Sequence, residues 1–515
     1  MRCEKWESFS ECIIHCLYHI ILFTTLPFPE PTTSTLHSFS IAPKLPTMAG
    51  GDGDTKLLHI AMFPWLAFGH ILPFLQLAKI MAKKGHKISF VSTPRNIDRL
   101  PQLPPSLITF VKLPLPPVDG LPTTAEATSD LEIHAVSYLK RAYDLLQQPL
   151  AGFLRSSRPD WILFDYVPFW LPGVARDLGI PTAYFSIFLA GALGFVSPPS
   201  DEEEDYRKSV EEFTVKPKWV PFDSDVAYRQ FEAEKVFPAL VGDDLQLPEF
   251  YRFHQTLKRC DLIAVRSCPE LESKWFDLLQ EIHQKPVIPV GVLPTPVEEK
   301  EADSWQTSTW IKEWLDRQEP GSVVYVAFGS EAKRSQEELT EIAWGLEMSG
   351  LPFFWVLRTR RSPDDPDVLE LPEGFEERTR GLGVVWKDWA PQVKILGHDS
   401  VGGFLAHSGW SSVVEGLQFG RTLVFLTFYA DQGLNAKLLQ EKGVGYLVPR
   451  NEVDGRFTRE SVADSLRAAM VGEEGEFFPS YRVKAMEMKE LFGDNEKHDG
   501  YVHDFLGYLE ANKLR

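Results

Sequence analysis

Apolar and polar positions follow two alternating rhythms from Leu57 onward. Leu57–Phe63 is a short apolar run, the length of a buried strand. Pro64–Gly69 breaks it, and Ile71–Lys84 then carries apolar residues at helical spacing. Pro73 is read in the first turn of that helix, where a missing N–H costs little. Gly85 ends the helix and Lys87–Ser92 is strand-like again. Trp161–Phe164 and Thr182–Ser186 read as further strands, with a helix over Leu171–Leu178 between them. The middle is less regular: Asp201–Asp205 is acidic and Lys218–Gly242 has little periodicity, which predicts loops and short helices over one face. Strand patterns return at Leu262–Arg266 and Val287–Val290.

A second series follows a Pro-, Glu- and Ser/Thr-rich stretch, Leu293–Ser308. Strands are predicted at Ser322–Phe328, Phe353–Leu357, Gly383–Trp386, Gly402–Ala406, Thr422–Leu426 and Gly445–Val448. Helices are predicted at Gln336–Met348, Gln392–Leu396, Ser412–Gln418, Gln432–Glu441 and Arg459–Met470. Strands alternating with helices predict parallel sheets, so the expected class is α/β with two Rossmann-like domains. The expected boundaries are 48–292 for the N-terminal domain, 293–310 for a linker and 311–490 for the C-terminal domain, with a helix in 491–515 returning to the first. Two such sheets facing each other leave a cleft at their strand C-terminal ends, where open α/β sheets bind ligands.

Composition narrows the partners. The chain has 515 residues, too many for one compact core. Its 53 basic and 72 acidic residues give a net charge of −19. A surface this acidic repels phosphate backbones and anionic membranes, so nucleic acid is excluded as a partner and any nucleotide should be a small molecule in a pocket. Of five cysteines, three fall in the first sixteen residues; Cys260 and Cys268 are able to pair, yet no spacing suggests a disulfide framework or zinc site. Together with five Asn, none in an N-x-Ser/Thr acceptor, this fits a reducing cytoplasm. No apolar run has the length of an integral membrane segment. Residues 1–47 are expected to be a disordered extension or the product of an upstream start codon, because Met48 opens a Gly/Asp-rich leader directly before the first strand. A monomer is expected.

The most specific stretch runs from Trp389 to Gln432, WAPQVKILGHDSVGGFLAHSGWSSVVEGLQFGRTLVFLTFYADQ. It resembles the signature box of plant UDP-dependent glycosyltransferases. The phrases PWLAFGHILPFLQLAK, FVSTPRNIDRLP and SVVYVAFGSEA look most like the branch-forming glucosyl- and rhamnosyltransferase clade. The resemblance implies a two-domain GT-B fold and a UDP-sugar as co-substrate, with no further cofactor.

Each position of the box has a physical task. Trp389 offers a flat aromatic face suited to stacking on uracil, although a Trp closing a strand is more often core. Ala390 and Gln392 resemble residues that bind uracil edges. His407 closes a strand and Gly409 precedes a helix; such a turn points backbone N–H groups at an anion, which the helix dipole also favours. By resemblance, His407 and Ser412 contact the diphosphate, with Trp410 and Ser411 beside them and Ser330 adding a further contact. Plain helix capping by Ser411 and Ser412 would use the same geometry. Glu415, one turn on, is able to accept bonds from two ribose hydroxyls. Asp431 and Gln432 resemble the pair that holds the sugar. Ala406, Ser408, Ser411 and Thr427 depart from the family pattern, and Ser411 is shorter than the usual Asn.

His70 and Asp165 are the catalytic candidates. A helix N-terminus disfavours imidazolium, which keeps His70 able to accept a proton, and a carboxylate beside it would orient the ring. The pair resembles the family's His–Asp dyad. No carboxylate cluster suggests a metal site. The N-terminal half should hold a small lipophilic acceptor, with apolar surface from Phe63, Trp65, Phe169, Trp170, Phe185 and Phe188, some of which must be core. The rivals are a UDP-sugar epimerase of the same fold, a Rossmann oxidoreductase, which lacks its G-x-G-x-x-G here, and a non-catalytic nucleotide-sugar-binding relative.

Overall fold

The computed structural model describes residues 57–101, 108–199, 207–242, 247–296, 309–329, 334–358, 368–472 and 480–513. Residues 1–47, most of the 293–310 stretch and Ser330 therefore lie outside the described residues.

The first sheet has seven strands: β1 His59–Phe63, β2 Lys87–Ser92, β3 Ile108–Lys112, β4 Trp161–Phe164, β5 Thr182–Ser186, β6 Leu262–Val265 and β7 Val287–Pro289. Their order is β3-β2-β1-β4-β5-β6-β7. The second has six: β8 Val323–Val326, β9 Phe353–Val356, β10 Gly383–Trp386, β11 Val401–Ala406, β12 Thr422–Phe425 and β13 Gly445–Leu447, in the order β10-β9-β8-β11-β12-β13. All pairings among the described strands are parallel. The apolar runs read from sequence become strands because both their faces are covered: β1, β4, β5 and β6 are buried almost throughout.

Strand order reverses between β1 and β4 in the first sheet and between β8 and β11 in the second. At these switch points neighbouring crossovers leave in opposite directions and open a crevice. In the first sheet Phe63 pairs with Phe164, so the chain leaving β1 toward His70 runs beside Asp165. In the second, Leu405 pairs with Val326, so His407 emerges beside Phe328 and Gly329.

One apolar cluster runs through both halves, from Phe63, Phe164 and Tyr184 to Tyr325, Phe404 and Leu438. Close approach there needs glycine: a Cβ on Gly191 would sit 2.6 Å from Leu438, and one on Gly194 would sit 2.7 Å from Trp275. The Asn495–Ala511 helix lies on the outer face of the first sheet, where Val502, Phe505, Leu506 and Leu509 join its core. The Trp161 indole N–H donates to the Leu509 carbonyl at 2.9 Å. Leu293 and Pro294, at the start of the proline-rich stretch, are held by the Gln76 side-chain amide at 2.7 and 2.6 Å.

Several expectations need correction. The first helix spans Phe68–Lys83, so Pro73 lies in its interior and His70 in its first turn. The edge strand β3, only partly buried, escaped the pattern reading because prolines flank it on both sides. The irregular middle contains two full helices, Gln230–Val241 and Glu249–Arg259. Cys260 and Cys268 are both free and buried. Phe63 and Phe185 are fully buried core residues; Phe185 packs edge-on against Phe74 at 4.8 Å. Trp65 and Trp170 are also buried, which leaves Phe169 and Phe188 partly exposed.

Candidate active site

The chain leaves β1 in extended conformation at Ala67 (φ −125°) and turns into the Phe68–Lys83 helix. His70 Nδ1 lies 2.7 Å from Asp165 Oδ2. Asp165 is fully buried, and its carboxylate also accepts from the backbone N–H groups of Trp65 (3.2 Å) and Tyr166 (2.8 Å). Three hydrogen bonds of this kind are what a buried charge needs. An ionised carboxylate only accepts, so the proton sits on Nδ1 and the ring lone pair on Nε2. Aromatic rings enclose the pair: Phe188 meets His70 edge-on at 5.5 Å, and Tyr166 stacks on Phe253 at 4.1 Å.

On the facing half, His407 directly follows β11 and the chain turns through Ser408, a non-glycine residue in the left-handed region at φ 63°. Two hydrogen bonds brace that turn: Ser408 Oγ donates to the Gln432 carbonyl at 2.6 Å, and Asn435 Nδ2 donates to the Ser408 carbonyl at 3.1 Å. Gly409 is the N-cap of the Trp410–Leu417 helix, with no side-chain cap. A Cβ there would sit 2.3 Å from His407 Nε2, so only glycine lets the imidazole lie across the helix start. The His407 Nδ1 is buried with no hydrogen-bond partner among the described residues. Burial, helped by the charge of Arg334, pulls His407 down to about 4, so it is neutral at pH 7.

The sugar-end pair follows β12. Asn435 Nδ2 donates to Asp431 Oδ2 at 2.7 Å. Burial pushes the Asp431 carboxyl up; Asn435 and the charge of His70 across the cleft oppose it. Gln432 is buried, and its Oε1 accepts from the backbone N–H of Phe428 (2.8 Å) and Tyr429 (3.3 Å). Its side-chain carbonyl is therefore engaged by the backbone, which leaves the amide NH₂ as the group able to donate to a ligand.

At the other end Trp389 is 70% exposed and lies three residues beyond β10 rather than closing it; its carbonyl accepts from the Trp386 indole at 3.0 Å. Ala390 is partly buried next to it. Gln392 Nε2 donates to Glu415 Oε2 at 2.6 Å, and the Tyr325 hydroxyl donates to Gln392 Oε1 at 3.3 Å. Thr295 Oγ1, at the start of the stretch that links the halves, donates to Glu415 Oε1 at 3.4 Å. Burial raises the Glu415 carboxyl, opposed by Gln392 and by the charge of Arg266.

Two expected contacts are used otherwise. The Trp410 indole faces the N-terminal half, where Nε1 donates to the Arg266 carbonyl at 2.7 Å, so only its backbone faces the helix start. Ser411 Oγ accepts from Arg266 Nη1 at 2.8 Å. Ser412 is buried in the first turn. Sequence reading missed Arg266 and Arg334. Both are buried; Arg266 directly follows the apolar strand β6, where a lone arginine was the available signal, whereas Arg334 lies in a polar stretch before the Gln336–Ser349 helix that offered none. No group of three or more His, Cys, Asp or Glu able to hold a metal occurs among the described residues, and no described helix is long and apolar enough to cross a membrane.

Comparison with known proteins agrees with this architecture. Residues 300–495 match the family model described as UDP-glucoronosyl and UDP-glucosyl transferase. The chain is 52% identical to UDP-glycosyltransferase 91A1 of Arabidopsis thaliana over 90% of its length and 98% of the relative's. It is 42% identical to soyasaponin III rhamnosyltransferase of Glycine max, again over 90% and 98%. The crystal structure of Arabidopsis thaliana UGT89C1 complexed with UDP-L-rhamnose superposes with a TM-score of 0.68 at 24% identity, covering 88% of this chain and all of that one. Two parallel sheets, a cleft at their switch points and relatives at this identity together make the chain a member of the plant UDP-dependent glycosyltransferases, an enzyme of GT-B fold.

Proposed function

We propose that the enzyme transfers a hexose, glucose or rhamnose, from its UDP-sugar to a hydroxyl of a small lipophilic plant metabolite or its glycoside, with inversion at the anomeric carbon. The observation that carries this reading is the 2.7 Å contact between His70 and the fully buried Asp165 carboxylate. His70 Nε2 takes the proton of the acceptor hydroxyl as its oxygen attacks the anomeric carbon. The bond from that carbon to the diphosphate breaks, and UDP leaves with the electron pair. Asp165 holds the ring in the required tautomer and stabilises the imidazolium. The transition state is oxocarbenium-like, as in glycoside hydrolysis.

The helix start at Trp410–Ser412 faces the developing charge on the diphosphate, with His407 beside it. Glu415, oriented by Gln392, takes the ribose hydroxyls, and Trp389 offers its exposed face to uracil. Asp431 accepts from the sugar hydroxyls while the Gln432 amide donates. Ser330 joins this set by its motif alone. Phe169 and Phe188 provide the apolar acceptor surface, with buried Tyr166 and Phe253 packed against Phe188, and the name of the Glycine max relative supports both a glycosylated lipophilic acceptor and rhamnose as a donor. The working form is a cytoplasmic monomer.

The test is a competition among UDP-glucose, UDP-galactose and UDP-rhamnose at equal concentration with one hydroxylated acceptor, followed by NMR of the product. Transfer of glucose or rhamnose with an inverted anomeric centre is expected. A site shaped around particular hydroxyls leaves buried polar groups unpaired when a sugar misplaces them, so galactose should be poor. Preferred galactose transfer, or retention of configuration, contradicts the assignment.

A further inference from the structure

Arg334 lies just before the Gln336–Ser349 helix, on the chain leaving the C-terminal end of β8. It is 5% exposed. Its guanidinium carbon sits 5.0 Å from the centre of the Phe328 ring, and Phe328 meets Phe428 edge-on at 5.5 Å. The neighbouring Gly329 (φ 76°) backs onto His407 so closely that a Cβ would lie 3.0 Å from His407 Cε1. Arg334 and His407 thus belong to the head of β8 and β11, the two strands that flank the switch point of the second sheet.

Arg334 remains charged there: burial brings it down only to about 10. The carboxylate that acts on it is Glu338, which already accepts from the Ser335 N–H at 2.9 Å and lies 3.7 Å from Arg450. Nε and Nη1 of Arg334 are buried with no hydrogen-bond partner among the described residues, and the same holds for Nδ1 of His407. A desolvated cation with two unmade hydrogen bonds is costly, and buried polar groups are otherwise nearly always paired. The arrangement becomes favourable when an anion enters.

We propose that Arg334 is a donor-binding residue, whose Nε and Nη1 donate to the diphosphate of the bound nucleotide sugar beside His407 and the start of the Trp410–Leu417 helix. A guanidinium fork suits phosphate oxygens, and its charge is kept where the departing nucleoside diphosphate gains negative charge. The inference rests on the nucleotide-sugar reading given above.

The experiment measures UDP and uridine binding by calorimetry for wild type, Arg334→Met and Arg334→Lys. It also records the melting temperature of each without ligand. UDP affinity should fall roughly 10- to 100-fold in the Met variant, as expected for lost charge-assisted bonds, while uridine affinity stays the same. The Lys variant should lie between. The ligand-free Met variant should melt no lower than wild type, because an unpaired buried charge is gone. Unchanged UDP affinity overturns the role of Arg334 and leaves the nucleotide-sugar reading standing. Equal weakening of UDP and uridine, or a ligand-free Met variant that melts well below wild type or fails to fold, makes Arg334 a packing residue and also overturns it. A wild-type enzyme that binds neither UDP nor uridine removes the nucleotide-sugar reading and this inference with it.

Discussion

The two faces of the cleft differ in how far their polar groups are already paired. On the N-terminal side the buried Asp165 carboxylate accepts from His70, Trp65 and Tyr166, and aromatic rings close over the pair. On the C-terminal side His407 Nδ1 and the Arg334 nitrogens are buried without partners among the described residues, and the Trp410–Leu417 helix starts with no side-chain cap. Under the proposed function, the chain builds the base in working order and leaves the nucleotide pocket to be finished by its ligand. Pre-organisation belongs where a proton must move at a set place; an incomplete anion site belongs where charge arrives with the donor and grows as the bond breaks.

The sharpest way to break this contrast is to disable the paired side alone. Asp165→Asn keeps the shape but loses the charge that sets the tautomer of His70 and stabilises the imidazolium. Transfer should slow by ~10²–10⁴-fold while UDP affinity holds. Steady-state rates beside UDP calorimetry check this; a variant that weakens UDP binding as much as turnover would show that the two faces are not separable.

A smaller effect is expected on the ligand-completed side. Glu415→Ala removes the group that Gln392 and Thr295 orient, and donor affinity should fall by about 1.5–3 kcal/mol with little change in acceptor KM. Unchanged donor affinity would leave Glu415 as a helix residue that only braces Gln392.

The smallest effect is in stability against pH. His407 sits at about 4 against an ordinary 6.5, because its neutral form is the one burial favours. The unfolded chain takes the proton first, so this contribution is fully present above about 6.5 and is lost as pH falls toward 4. Melting temperature should therefore decline more steeply between pH 6.5 and 4.5 in wild type than in His407→Gln, with His283, pulled by burial to about 3, adding to both curves. Parallel curves would show that His407 is not held neutral.

Much of this contrast was legible along the chain. The strand–helix alternation gave both sheets, since buried parallel strands are written as short apolar runs. The signature box gave His407, Glu415, Asp431 and Gln432 before any contact was known. Arg266 and Arg334 stayed hidden because their roles depend on a neighbour far along the chain: Ser411 for one, His407 for the other. The division of labour within the Asp431–Gln432 pair was not legible, because the Gln432 acceptor is spent on backbone N–H groups a few residues upstream. The middle helices were missed where Pro238 interrupts a pattern that packing sustains.

The central claim is that base and nucleotide pocket are built on separate faces. The most direct measurement compares His70→Ala with wild type for both turnover and UDP affinity on the same preparation. Loss of transfer by ~10²–10⁴-fold with an unchanged Kd for UDP is the result this account predicts. Normal turnover in His70→Ala, or a UDP affinity that falls together with the rate, would contradict it.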